Sequence, residues 1–256
     1  MLSKQQLNCA SLLAKNTMHK TKLLHFFMNL AALIKETISS QQHDNAGESD
    51  IIDEELENIM NCPPPQYDDK EYWDLRYERD PESFEWFQPW SRIKSKVIQY
   101  LQKDGQVLNV GCGNSTLPIE MLSDFNGTIT NIDFSSVVIN QMKKQYESEK
   151  RLVWVNGDCM STPFENESFD FVIEKGTIDS FVCTLESTKK IPKIIEEIYR
   201  VMKHKAYLIV ISYGTPSTRN TFFKSSQFDW CLQEVKEIEK INEPGTFHYV
   251  YIWQKN

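Results

Sequence analysis

The chain has 256 residues, 40% of them hydrophobic and 25% charged, with a net charge of −8 at pH 7. That composition is ordinary for a soluble globular protein, and the length accommodates one domain of about 180–200 residues plus an extension. The acidic balance argues against a nucleic-acid binder that relies on broad phosphate contacts, and it suits a basic protein partner.

Residues 1–65 stand apart from the rest. Up to Lys35 there are five lysines and no acid; from Glu36 to Glu57 there are eight acids and no base. Pro63-Pro64-Pro65 then makes a stiff break. The apolar run Leu23–Ile34 is twelve residues, too few to span a bilayer. A lysine-bearing, acid-free start leaves a mitochondrial address open, but it lacks the arginines usual in transit peptides. We therefore expect 1–65 to be a largely disordered or partly helical extension and 66–256 to be the folded domain. Six cysteines, at 9, 62, 112, 159, 183 and 231, form no C-x-x-C pair. No metal is expected, and free thiols in a reducing compartment point to the cytoplasm.

From Asp68 the periodicity predicts helices at 68–79 and 89–103. Strand 106–111, helix 115–123, strand 128–133, helix 135–148, and strands 151–155 and 169–174 follow. Helix 188–202 and strand 206–212 come next, and two closing strands, 229–240 and 246–254, flank a turn at Asn242-Glu243-Pro244-Gly245. This alternation implies an α/β domain with a mostly parallel sheet covered by helices.

The run Val107-Leu108-Asn109-Val110-Gly111-Cys112-Gly113-Asn114-Ser115 reads as a strand, a glycine turn and the opening of a helix. Gly111 and Gly113 let the backbone approach a ligand. Asp133 ends the next strand about 20 residues on, where a carboxylate can accept both hydroxyls of a ribose. The run has no third glycine of a dinucleotide fingerprint and no phosphate-binding G-x-x-x-x-G-K-[ST]. A nucleoside without phosphates fits better, and S-adenosylmethionine is the common one. Gly157-Asp158-Cys159, after the third strand, places a carboxylate and a backbone N–H where an adenine edge could be read. Ser168–Gly176 reads as a fourth strand with a charged end.

Tyr72-Trp73-Asp74-Leu75-Arg76-Tyr77, Phe84-Glu85-Trp86-Phe87, Val110–Ser115, Asp133–Val138 and Glu174-Lys175-Gly176-Thr177-Ile178-Asp179 together resemble the seven-β-strand S-adenosylmethionine-dependent methyltransferases. Within them the chain is most similar to the elongation factor 1A lysine methyltransferases, over roughly residues 70–254. The resemblance implies a Rossmann-like seven-stranded methyltransferase sheet, mostly parallel with a C-terminal antiparallel hairpin and helices on both faces. It implies that Trp73, Tyr77 and Trp86 cover the cofactor and that Gly111 lies under its methionine part. Asp133 and Phe134 would then contact ribose and adenine, Asp158 and Cys159 the adenine edge, and Lys175 the cofactor from the fourth strand. The expected activity is methyl transfer to a protein lysine, with elongation factor 1A as the first partner to consider. Glu174 and Asp179 are candidates to orient the amine, and no general base is assigned.

A small-molecule methyltransferase on the same fold and a non-catalytic scaffold are the rival readings, because fold does not fix function. A base methyltransferase fits poorly: Glu174-Lys175-Gly176-Thr177 stands where Asn/Asp-Pro-Pro-Tyr/Phe is usual. The chain departs from the family pattern in two places. Met202–Tyr207 has no glycine before the fifth strand of the parallel series, and the stretch after Asp179, which shapes the substrate entrance, is short.

Overall fold

The computed structural model describes residues 67–184, 186–224 and 227–256, so the expectations for 1–65 lie outside the described residues. The strands are β1 (Gln106–Val110), β2 (Thr128–Asp133), β3 (Leu152–Asn156), β4 (Phe169–Lys175), β5 (Met202–Ser212), β6 (Trp230–Lys240) and β7 (Glu243–Lys255). The helices are α1 (Lys70–Arg79), α2 (Trp90–Val97), α3 (Leu117–Met121), α4 (Ser136–Gln145), α5 (Thr177–Val182), α6 (Ser187–Val201) and α7 (Pro216–Phe223). The strands form one sheet in the order β3-β2-β1-β4-β5-β7-β6. β1 to β5 run parallel, β7 is antiparallel to β5, and β6 is antiparallel to β7. This is the Rossmann-like, mostly parallel sheet with an antiparallel C-terminal pair that the resemblance implied.

The central strands are apolar on both sides because helices cover both faces. Leu108 and Val110 of β1, with Leu208 and Val210 of β5, pack under Ile191, Ile194, Ile195 and Ile198 of α6. Val107, Ile209 and Ile211 point the other way, toward Trp90, Ile93 and Val97 of α2 and Leu117 and Met121 of α3. A smaller cluster joins Tyr77 of α1 to Cys112 and to Val138, Ile139 and Met142 of α4. Caps fix where these helices begin. The Asp69 side chain accepts from Glu71 N at the start of α1, and Ser135 Oγ accepts from Val138 N at the start of α4.

The chain steps outward from β1 through β2 to β3, then crosses back to β4 on the other side of β1. Such a reversal leaves a crevice at the C-terminal strand ends, where open α/β sheets bind ligands. The register sets the level: Val110 pairs with Glu174 and with Ile132, and Asp133 pairs with Asn156.

Several boundaries differ from expectation. The predicted helix 89–103 stops at Val97 and tightens into a 3₁₀ turn, Ile98–Tyr100. The predicted helix 115–123 starts only at Leu117, because Ser115 and Thr116 are engaged by Glu85. β5 begins at Met202, which was expected to end helix 188–202, four residues before the expected strand start; a bulge absorbs the irregularity, with Lys205 at φ 63°. β7 begins at Glu243, inside the predicted turn, and Gly245 (φ 77°) sits within the strand. α5 and α7 were not predicted. Among the described residues no helix is long and apolar enough to cross a membrane.

Leu108 is fully buried in the strand next to the crevice. Leu108→Ala should cost about 3 kcal/mol of folding free energy, through lost burial and the cavity left behind. Urea unfolding of the two proteins checks this.

Candidate functional site

The turn after β1 is shaped by what the missing side chains allow. Gly111 and Gly113 have φ of 60° and 53°, in the left-handed region that favours glycine. A Cβ on Gly111 would lie 2.1 Å from Thr177 Oγ1, and one on Gly113 would lie 2.8 Å from the Tyr77 hydroxyl. Both glycines therefore make room for protein side chains, a requirement separate from the ligand approach that motif reading assigned them. Thr177 Oγ1 donates to Val110 O (3.0 Å), which ties the start of α5 to the end of β1.

Asp133 is buried beside this turn. Its Oδ2 accepts from Gly113 N (3.0 Å) and its Oδ1 from Ser135 N (2.9 Å). Burial raises its pKa to about 6, against the lowering effect of these two N–H groups. Each oxygen keeps a second lone pair. The Phe134 and Asp133 carbonyls accept from Asn156 Nδ2 (2.9 and 3.1 Å), and Gly157 N donates to Asp133 O (3.0 Å). This brings the loop after β3 alongside. There Asp158 is exposed, and its Oδ1 accepts from Met160 N (2.8 Å) in a local turn. Cys159 packs against the α5–α6 side of the core, and burial pushes its thiol up.

Trp73 and Tyr77, one turn apart on α1, stack at 5.7 Å, and Trp86 meets Trp73 edge-on at 6.5 Å. The Arg76 guanidinium lies 5.6–5.9 Å from the rings of Trp73, Phe84 and Trp86, within cation–π range. This aromatic segment is fastened to the turn. Phe84 N donates to Asn114 O (3.3 Å), and Asn114 Nδ2 donates to Glu82 O. Glu85 Oε1 accepts from Ser115 Oγ (2.6 Å) and Thr116 N. Glu85 Oε2 accepts from Lys175 Nζ (2.7 Å), which also donates to Trp86 O (3.0 Å). Burial lowers the Lys175 pKa, and the Glu85 carboxylate opposes that shift.

At the end of β4 the two candidate carboxylates part company. Glu174 is buried; Oε1 accepts from Ile178 N (2.7 Å) at the start of α5, and Oε2 has no hydrogen-bond partner among the described residues. Burial, and then the charge of Asp179, raise its pKa to about 8. Asp179 is fully engaged. Its Oδ1 accepts from Ser212 Oγ (2.7 Å) and from Arg219 Nε (2.8 Å) and Nη2 (2.5 Å), and its Oδ2 accepts from Tyr213 N (3.2 Å). Both members of this ion pair are buried, so removing either would leave an uncompensated charge.

Motif reading did not single out Glu85, Phe87, Tyr213 or Arg219. Phe87 takes φ 61°, an uncommon value for a large side chain. A Cβ on Gly176 would lie 3.0 Å from its ring, and the ring also meets His248 (4.8 Å) and Tyr213 (6.2 Å). Tyr213 is 44% exposed, and its hydroxyl lies 3.9 Å from Cys183 Sγ. Tyr67 and Tyr72 pack edge to face at 5.4 Å nearby; burial, Tyr72 and Cys183 together raise the Tyr67 pKa to about 12. The Phe84–Phe87 stretch carried the signal for Glu85 and Phe87, whereas nothing local in the sequence marks Arg219.

Residues 108–210 match a family model described as a methyltransferase domain. This match and the seven-stranded sheet make the chain similar to the S-adenosylmethionine-dependent methyltransferases. "EEF1A lysine methyltransferase 4" of Mus musculus is 28% identical to it over 178 residues, 66% of this chain and 70% of that protein. The Bos taurus protein of the same name is 28% identical over 199 residues, 74% and 76% of the two chains. A solved methyltransferase from Aquifex aeolicus, described as SAM-dependent, shares the fold with a TM-score of 0.52 at 19% identity, covering 72% of this chain and 98% of that one.

The methyltransferase site fits its cofactor where the structure can be tested. Each Asp133 oxygen keeps a lone pair beside the glycine turn, and the rings of Trp73, Tyr77 and Trp86 suit a sulfonium cation. Asp133→Asn should weaken S-adenosylmethionine binding by about 2 kcal/mol. In the wild-type protein, affinity should be flat above pH 7 and fall as pH drops through about 6, because protonation removes an acceptor; the variant should lose that limb. Calorimetry across pH checks both.

Glu174 makes itself felt in stability. Its folded pKa of about 8 lies above the ordinary glutamate value of 4.5, so the native state holds a proton that the unfolded chain has released. Unfolding free energy should therefore fall as pH rises from about 5 to 8 and then level off. Glu174→Gln should flatten that slope, as read by denaturant unfolding at each pH.

Proposed function

We propose that this methyltransferase acts on a lysine side chain of a protein, with elongation factor 1A the leading substrate. The observation that carries the reading is the pairing of the rings of Tyr67 with Tyr72 and of Phe87 with Tyr213, together with a buried carboxyl at the end of β4 that has one oxygen without a hydrogen-bond partner among the described residues. The names of the relatives, covered over 70–76% of their length, support the same substrate class.

The cofactor supplies a methyl already activated on a sulfonium. The chain's task is then to hold, align and desolvate the amine. Trp73, Tyr77 and Trp86 would cover the cofactor, and Gly111 and Gly113 form the turn that would receive it. Asp133 and Phe134 take the ribose and adenine; Asp158, Cys159 and Lys175 complete the contacts. An incoming lysine passes tyrosine and phenylalanine faces, which attract the ammonium; the loss of water along that path lowers its pKa. Glu174 holds its proton near neutrality, and its Oε2 becomes an acceptor for the amine as pH rises through about 8. Asp179 works at one remove, holding Arg219 and the backbone of Tyr213 so that the mouth keeps its shape.

Elongation factor 1A incubated with the full chain and S-adenosylmethionine should gain one or more methyl groups on lysine, located by peptide mass spectrometry. The rate should rise with pH as the amine loses its proton. Methyl groups found only on small molecules from a lysate would overturn the protein-lysine reading.

A further inference from the structure

Glu85 does more than an ordinary helix cap requires. The N-cap position of α3, Thr116, makes no side-chain cap bond of its own. The Glu85 carboxylate replaces it, accepting from Thr116 N and Ser115 Oγ through Oε1. The Thr116 hydroxyl has one proton and lies closer to Glu120 (2.6 Å) than to Glu85 (3.2 Å), so it serves Glu120. Capping thus accounts for one oxygen only.

The second oxygen reaches across to Lys175 on β4. The lysine side chain is 6% exposed and Glu85 is 21% exposed, so this pair is shielded from the screening that makes surface pairs weak. Two of the three ammonium N–H groups point at one short segment, at Glu85 Oε2 and at the next residue's carbonyl, Trp86 O. The same segment carries the Trp86 ring that meets Trp73. One carboxylate therefore joins the glycine turn, the fourth strand and the aromatic cover.

We propose that Glu85 is the positioning residue of cofactor binding. By holding Lys175 it directs the ammonium's third N–H into the crevice, and by holding the turn it keeps Trp86 over the cofactor. This rests on reading Lys175 and Trp86 as cofactor contacts.

The test is a double-mutant cycle on the full chain, with S-adenosylmethionine affinity measured by calorimetry. Glu85→Gln keeps the shape and the oxygen that caps α3, so it removes chiefly the charge facing Lys175. Glu85→Gln and Lys175→Met should each weaken binding by about tenfold, and the double variant should bind within about twofold of Lys175→Met alone. That non-additivity is a readout that a merely structural cap would not produce. Effects that multiply in the double variant, or Glu85→Gln binding as tightly as wild type while Lys175→Met is weakened, overturn the role of Glu85. Wild-type affinity in Lys175→Met overturns the cofactor role of Lys175 and the inference with it.

Discussion

The backbone of Gly111 lies so close to Thr177 that no side chain fits between them, and the architecture of the site hangs on that approach. It brings the end of β1 and the start of α5 together at the point where the chain reverses direction through the sheet. Val110 and Glu174 stand at one level there, so the glycine turn and the charged end of β4 face the same crevice. Gly113 then contributes its N–H to Asp133 while clearing space for Tyr77. A larger residue at either position would push apart two halves of the domain that are far separated in sequence.

Around that contact the protein buries three carboxyl groups and manages each differently. Asp133 is held by two backbone N–H groups, which limit how far burial can raise its pKa and leave it an acceptor at neutral pH. Asp179 is neutralised by the buried Arg219, and the pair braces the end of β5. Glu174 has only the first turn of α5 and sits near Asp179, so it keeps its proton near neutrality. A charge in a low-dielectric crevice is stable only with a partner or a proton, and the three solutions give three chemical characters within one crevice.

The strands were readable because period-2 alternation and apolar runs follow from the sheet itself. Gly111, Gly113 and Asp133 were readable because a strand-turn-helix leaves its mark over a few adjacent residues. α5 and α7 escaped notice because they are six and eight residues long, too short to establish a period. Ser115 and Thr116 looked helical and are not, since a distant carboxylate occupies the groups that would begin the helix. Asp158 shows the reverse limit: its spacing pointed to a ligand, and its carboxylate also closes a local turn.

The order of strands and helices, the turn after β1 and the acid ending β2 determined the fold class and the cofactor class, because each is written in neighbouring residues. Tertiary structure alone decided which charges meet. Glu85 finds Lys175 across 90 residues, and Asp179 finds Arg219 across 40. Such pairs have no period and no fixed spacing, since their geometry is set by the packing of strands and loops around the crevice. The chemistry of Asp179 and Glu174, two acids five residues apart in one motif, diverges for the same reason: one acquires a buried guanidinium from a distant helix and the other does not.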